Sequence, residues 1–203
     1  MGEDMQSTPE TYPATLAYDP PERIANWRPL VQWILAIPHY IVLYVLRIVA
    51  EVLAIVSWFI IVFTGRLPEG IANFQAMYLR YQARTFTYAG FLEEEYPPFG
   101  FDMVSADPGD YPRIRVDVRP ELEDRNRLTV GFRLILVIPQ LIVLFVLILA
   151  LAIVLIIGFF AVLFTARWPE GLRMFAINVY QYQLRVEAYL FLVVDEYPPF
   201  ALT

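Results

Sequence analysis

The sequence predicts a mainly α-helical integral membrane protein, built by tandem duplication and carrying short β-strands that form a small cytoplasmic sheet. Three observations predict it. Residues 134–165 run for 32 positions without an Asp, Glu, Lys or Arg. A matching run, residues 30–64, is interrupted only by Arg47 and Glu51. Short motifs in the two halves recur at one spacing of 101 residues. A spanning helix takes about 20 apolar residues, so uncharged runs of this length suit a bilayer better than a soluble core.

Composition agrees and removes several function classes. Apolar residues make up 58% of the 203 and charged residues only 18%, with a mean hydropathy of +0.51, well to the apolar side of globular averages. The 13 Tyr, 15 Phe and 4 Trp suit long water–lipid boundaries, where amphipathic rings are favoured. A net charge of −6 argues against a nucleic-acid partner, which needs a basic face. With no Cys, one His and three Ser, disulfides, thiolate or histidine metal sites and nucleophilic triads lack their parts. No glycine-rich phosphate cradle is present either. Neither a cofactor nor an enzyme activity is expected.

In chain order, residues 1–11 read as a short acidic, disordered tail with no secretory signal pattern. Repeat unit 1 follows over residues 12–101, a linker with three Asp, a Pro and a Gly over 102–110, and repeat unit 2 over 111–203. Each unit opens on an extended segment. Arg113–Val118 alternates apolar and charged β-branched residues, a strand signature, and Ala14–Tyr18 is its weaker counterpart. The segments that begin at Tyr96-Pro97-Pro98-Phe99 and Tyr197-Pro198-Pro199-Phe200 also read as extended, because proline pushes its predecessor out of the α region. Four such pieces make a candidate sheet.

Each apolar run admits two readings. As one helix, 32 residues reach about 48 Å, against a hydrocarbon core of about 30 Å. As a hairpin, each leg is slightly short. The hairpin is the preferred reading, because it leaves the shared motifs of both units, and every Arg except Arg47, on one side. By the positive-inside rule that side is cytoplasmic. Arg47 and Glu51 would then mark the first tip. The second tip, at residues 148–152, holds no turn residue.

Each run ends at a shared break, Arg66-Leu67-Pro68-Glu69-Gly70 and Arg167-Trp168-Pro169-Glu170-Gly171. Proline and an acid there suit a helix start. The helix that follows carries a stripe, Phe74, Tyr78, Tyr81, Thr85, Tyr88 and Leu92, repeated as Phe175, Val179, Tyr182, Val186, Tyr189 and Val193. Such a stripe beside arginines suits a helix in the headgroup layer, or one packed on the spans. Arg66, Glu69, Tyr81 and Arg84, with Arg167, Glu170, Tyr182 and Arg185, form the candidate interfacial or lipid-headgroup set. His39 aligns with Gln140, which points to local hydrogen bonding rather than acid–base work.

The two breaks, the spacing Tyr81-Gln82-x-Arg84 with Tyr182-Gln183-x-Arg185, and the two Tyr-Pro-Pro-Phe segments together resemble a bacterial membrane family, domain of unknown function 4389, in two tandem copies over about 12–99 and 111–200. The first copy departs from the second by Leu67 in place of Trp168 and by Arg47 and Glu51. The resemblance implies a bacterial inner-membrane protein and brings no catalytic residue. Combined with the hairpin reading, it gives a multi-pass protein with both termini cytoplasmic. The expected role is a non-catalytic scaffold or accessory subunit, partnered by the bilayer and by other membrane proteins or its own copies. Lipid binding or transport through the Arg/Tyr rim is the alternative.

Overall fold

The structure, a computed structural model, describes residues 12–202, so the acidic tail expected at 1–11 lies outside it. Strand β1 (Ala14–Tyr18) leads through an irregular arm into helix α1 (Arg28–Leu35), helix α2 (Ile37–Thr64) and helix α3 (Glu69–Ala89). The second unit repeats this order with β2 (Ile114–Val118), the short helices α4 (Arg127–Gly131) and α5 (Arg133–Leu136), then α6 (Ile138–Thr165) and α7 (Glu170–Leu190).

The hairpin reading is corrected. Each apolar run holds one unbroken helix of 28 residues, α2 or α6, about 42 Å long at 1.5 Å per residue. With no turn residue inside, i→i−4 bonding continues through the expected tips. Arg47 Nε donates to Glu51 Oε1 at 2.8 Å, an i,i+4 pair along the helix rather than the sign of a bend. Proline in the first turn starts α1, α2 and α6, where its missing N–H leaves no bond unmade. Left-handed residues close both long helices, Gly65 at φ 73° and Ala166 at φ 56°.

The four-piece sheet is also corrected. Among the described residues only β1 and β2 pair, antiparallel, with Leu16 opposite Val116 at the centre. The two Pro-rich tails carry no ladder. They pack against the starts of the long helices: His39 stacks on Phe99 at 4.3 Å between centroids, and Gln140 Nε2 donates to the Pro198 carbonyl at 2.6 Å.

The elements stack in three layers. The sheet lies on one side of the α3–α7 pair, and the long helices α2 and α6 pack against the other. On α3, Gln75 faces α2, donating to the Ala50 carbonyl at 2.8 Å. Arg80 and Arg84, about half a turn around, face the 102–110 segment and β2. The aromatic stripe is therefore core: Tyr78, Tyr81, Thr85, Tyr88 and Leu92 are all buried, as are Val179, Tyr182, Val186, Tyr189 and Val193. Of the two readings offered for the stripe, packing holds.

The copies are intertwined. The Ile24 N–H donates to the Ala166 carbonyl at 3.0 Å, and the equivalent Arg125 N–H donates to that of Gly65 at 3.1 Å. Thus the arm before each long helix docks on the end of the other copy's long helix. The cores are mixed in the same way. Leu192 joins Ile61, Leu67 and Ala72 of the first copy, while Leu92 joins Val162, Trp168 and Ala176 of the second. The result is one body with an approximate twofold axis.

Candidate functional site

The eight candidate residues do not converge on one rim. Arg66 and Glu69 are exposed at the turn after α2, and Arg167 and Glu170 after α6. Glu69 and Glu170 are the first residues of α3 and α7, behind N-cap prolines that give no side-chain cap bond, and an acid there is favoured through the helix dipole. The other four turn inward.

Tyr81 and Tyr182 are buried and tie each aromatic helix to its long helix. Tyr81 Oη lies 2.7 Å from His39 Nδ1, and Tyr182 Oη donates to Gln140 Oε1. The histidine thus makes a tertiary bond, and glutamine does the same work in the second copy. Arg84 is clasped by the linker, with Nη2 2.9 Å from Asp107 Oδ1 and Nη1 2.8 Å from Asp110 Oδ1. Its neighbour Arg80 donates to the carbonyls of Val104 at 2.6 Å and Ala106 at 3.0 Å. Asp107 Oδ2 also accepts the Val116 N–H at 2.8 Å, which fixes the linker, α3 and β2 to one another. Arg185, partly buried, lies over the Tyr12 ring at 5.9 Å.

A second buried charge cluster escaped the sequence reading. Arg125 Nη2 and Arg133 Nη2 both reach Asp195 Oδ1 at 2.5 Å. Arg133 Nη1 also donates to the carbonyls of Tyr189 at 2.9 Å and Val194 at 2.7 Å, and its guanidinium sits 4.1 Å from the Tyr189 ring centre. Burial raises the Asp195 carboxyl, but the hydrogen bonds and positive charges of Arg125 and Arg133 outweigh it and hold Asp195 below the usual range. The one signal in the sequence was Arg133 standing where the first copy has Gln32, whose amide bonds the equivalent Glu93 carbonyl.

Between α3 and α7 a carboxylate lies in the opposite condition. Glu187 Oε1 accepts from Gln183 at 2.9 Å and Gln82 at 3.2 Å. Its Oε2 is buried with no hydrogen-bond partner, although the residue as a whole is only half-buried. Burial raises this carboxyl well above its ordinary value.

The largest feature of the surface is apolar. Fifteen large apolar side chains on α5 and α6 are more than a third exposed, between 38% at Leu136 and 76% at Phe164. At about half the 1.5–3 kcal/mol of a fully buried side chain, leaving them in water forgoes about 15 kcal/mol, as much as a whole domain's stability. The segments Arg28–Thr64 and Ile138–Thr165 are long and apolar enough to cross a membrane, and only 17% of the most apolar window of each is buried. A soluble core helix has the opposite burial. Beside α2, an apolar cavity of about 460 Å³ is lined by Arg47, Glu51, Trp58, Phe59, Arg133 and Leu192, among others. No group of three or more His, Cys, Asp or Glu that could hold a metal occurs among the described residues.

The family model for "Domain of unknown function (DUF4389)" matches residues 26–100 and 127–201. The chain belongs to that family and carries two tandem copies of its domain. Each matched segment begins after the strand and arm, on the approach to the long helices. Neither a curated protein nor a solved structure matches the chain.

Proposed function

We propose that this protein is a non-catalytic scaffold or accessory subunit of the bacterial plasma membrane, working through association with other membrane proteins or with its own copies. One observation carries the reading: many of the polar side chains shared by the two copies are spent on internal bonds, while the outer surface of both long helices, the Arg47–Glu51 pair of α2 apart, is left apolar. Tyr81, Tyr182, Arg84 and Asp107 hold elements together and leave little polar chemistry free for turnover. The apolar faces of α2 and α6 demand a nonaqueous neighbour. The sheet and both ends of the chain then lie on the cytoplasmic side, where most of the arginines are.

The test is extraction followed by crosslinking. Membranes from cells expressing the full chain are washed with alkaline carbonate and then dissolved in mild detergent. The protein is expected to stay in the carbonate pellet and to emerge in detergent as an assembly larger than one chain, or crosslinked to a partner. A strictly monomeric protein that crosslinks to nothing contradicts the scaffold reading. Lipid handling is the second reading, favoured by exposed Arg66 and Arg167 at the polar ends of the two apolar helices. Co-purified lipid that is lost in Arg66→Ala with Arg167→Ala supports it.

A further inference from the structure

We infer that α2 and α6 do not cross the bilayer but both lie parallel to its surface in one leaflet, with the approximate twofold axis along the membrane normal. The inference rests on the membrane reading above and adds how the chain sits. Reciprocal docking of the two copies sets the directions of the long helices. Asn26, two residues before α1, donates to the Leu163 carbonyl at the end of α6 at 2.9 Å. Trp58, near the end of α2, donates to the Val130 carbonyl in α4 at 3.0 Å. The entry to each long helix thus stands at the exit of the other, so the two run in opposite directions. A twofold axis relates antiparallel helices only when it stands across them.

The same axis passes through the sheet. The β1–β2 ladder centres on Leu16 opposite Val116, and Gln181, midway along α7, donates to the Ala14 carbonyl of β1 at 2.9 Å. Along the axis the order is therefore polar sheet, α3–α7, long helices. If α2 and α6 spanned the bilayer, the axis would lie in the membrane plane. The sheet would then stand at the depth of the hydrocarbon centre, with Arg115 and Asp117 exposed there. Each such charge costs about 3 kcal/mol at that depth on insertion scales. The exposed Arg47–Glu51 pair flanks Ala50, the midpoint of α2, and would share that position.

Laid flat, the charges of the sheet leave the hydrocarbon, and Arg47 and Glu51 lie on the flank of α2 beside the Arg133 cavity rather than at the bilayer centre. A helix about 10 Å across sits within one leaflet of about 15 Å, with its backbone bonded internally. The sheet stays in water. Arg66, Glu69, Arg167 and Glu170 stand at two lateral ends of one face, and Trp27 and Trp33, each 53% exposed, lie at the boundary that tryptophan favours.

Because the chain has no Cys, single cysteines test this cleanly. A side-chain carbon added at Gly70 or Gly171 meets nothing within 4 Å, and Ala106 is exposed in the linker. Gly70→Cys, Gly171→Cys and Ala106→Cys are each treated with a membrane-impermeant maleimide, in intact cells and in inside-out vesicles. Labelling of all three from the same face, with none from the other, is the expected result. Labelling of Gly70→Cys and Gly171→Cys from opposite faces overturns the flat arrangement while leaving membrane residence intact. Release of the unmodified chain by carbonate without detergent overturns both readings.

Discussion

The two copies share a backbone plan and differ in what fills it. Where the first copy places His39 against Tyr81, the second places Gln140 against Tyr182. Where the first has Ser57 and Leu67, the second has Gly158 and Trp168, and any Cβ on Gly158 would stand 1.9 Å from the indole. The first closes its long helix with glycine, the second with a left-handed alanine. At the equivalent junctions the second copy uses buried ions, Arg125 and Arg133 around Asp195, where the first has Ile24, Gln32 and Glu94. The duplicated fold therefore retains bonds and volumes rather than residues, and the second copy holds the more expensive solutions.

The largest break between the copies is expected at Asp195. Asp195→Ala strands two arginines with side chains 0–1% exposed, a change worth about 3–5 kcal/mol. Its counterpart Glu94 accepts one backbone N–H from Ala25, so Glu94→Ala loses about 1 kcal/mol. Thermal unfolding in detergent ranks them, and equal losses refute the asymmetry. The depressed carboxyl also sets a pH window. Stability from Asp195 is complete above its unfolded pKa of about 3.9 and disappears as pH falls through its lower folded value.

Next comes Gly158→Ala, which drives a methyl into Trp168 and costs about 3 kcal/mol as overpacking. Adding Trp168→Leu recreates the pairing of the first copy, and most of the loss is expected back. A double variant no better than the single one breaks the claim that volume is exchanged between these positions.

Smaller effects follow at the helix ends and on the axis. Ala166→Gly relieves a left-handed alanine and gains about 1 kcal/mol, whereas Gly65→Ala adds that strain and crowds Arg127 Nε at 3.1 Å. Unfolding midpoints that move the same way in both variants contradict this reading. Glu187→Gln keeps the acceptor oxygen that meets Gln82 and Gln183 and removes a buried charge. Because burial raises the folded pKa of Glu187, the native chain loses stability as pH rises from about 4.3 through that raised value. The variant is expected to be more stable at pH 7 by a few tenths to 1 kcal/mol and to lack that slope. A destabilised variant at pH 7 means the charge itself is used.

Much of the architecture is legible in the sequence. The offset of 101 between the motifs located both units, and the family match repeats it. The 4-3-4-3-4 stripe marked one face of α3 and α7 and left two places for it, of which the core is the one it occupies. Periodicity says which face is buried, however, not what covers it. Arg84 and Tyr81 read as a headgroup rim because their partners, Asp107 and His39, lie 23 and 42 residues away. Run length alone left hairpin and single helix close together, and the appeal to shared compartments favoured the wrong one. That appeal overlooked a third arrangement in which long unbroken helices keep both sets of motifs on one side. The crossed bonds of Ile24, Arg125, Asn26 and Trp58 are what point to that arrangement.

Depth along α6 tests the account most directly. Spin labels placed singly at exposed positions from Leu141 to Ile157, in bilayers, report their access to oxygen against a water-soluble nickel complex. A helix lying in one leaflet predicts a depth that oscillates with a period of about 3.6 residues around a constant mean. A depth that rises to one maximum near Leu151 and falls toward both ends would contradict it.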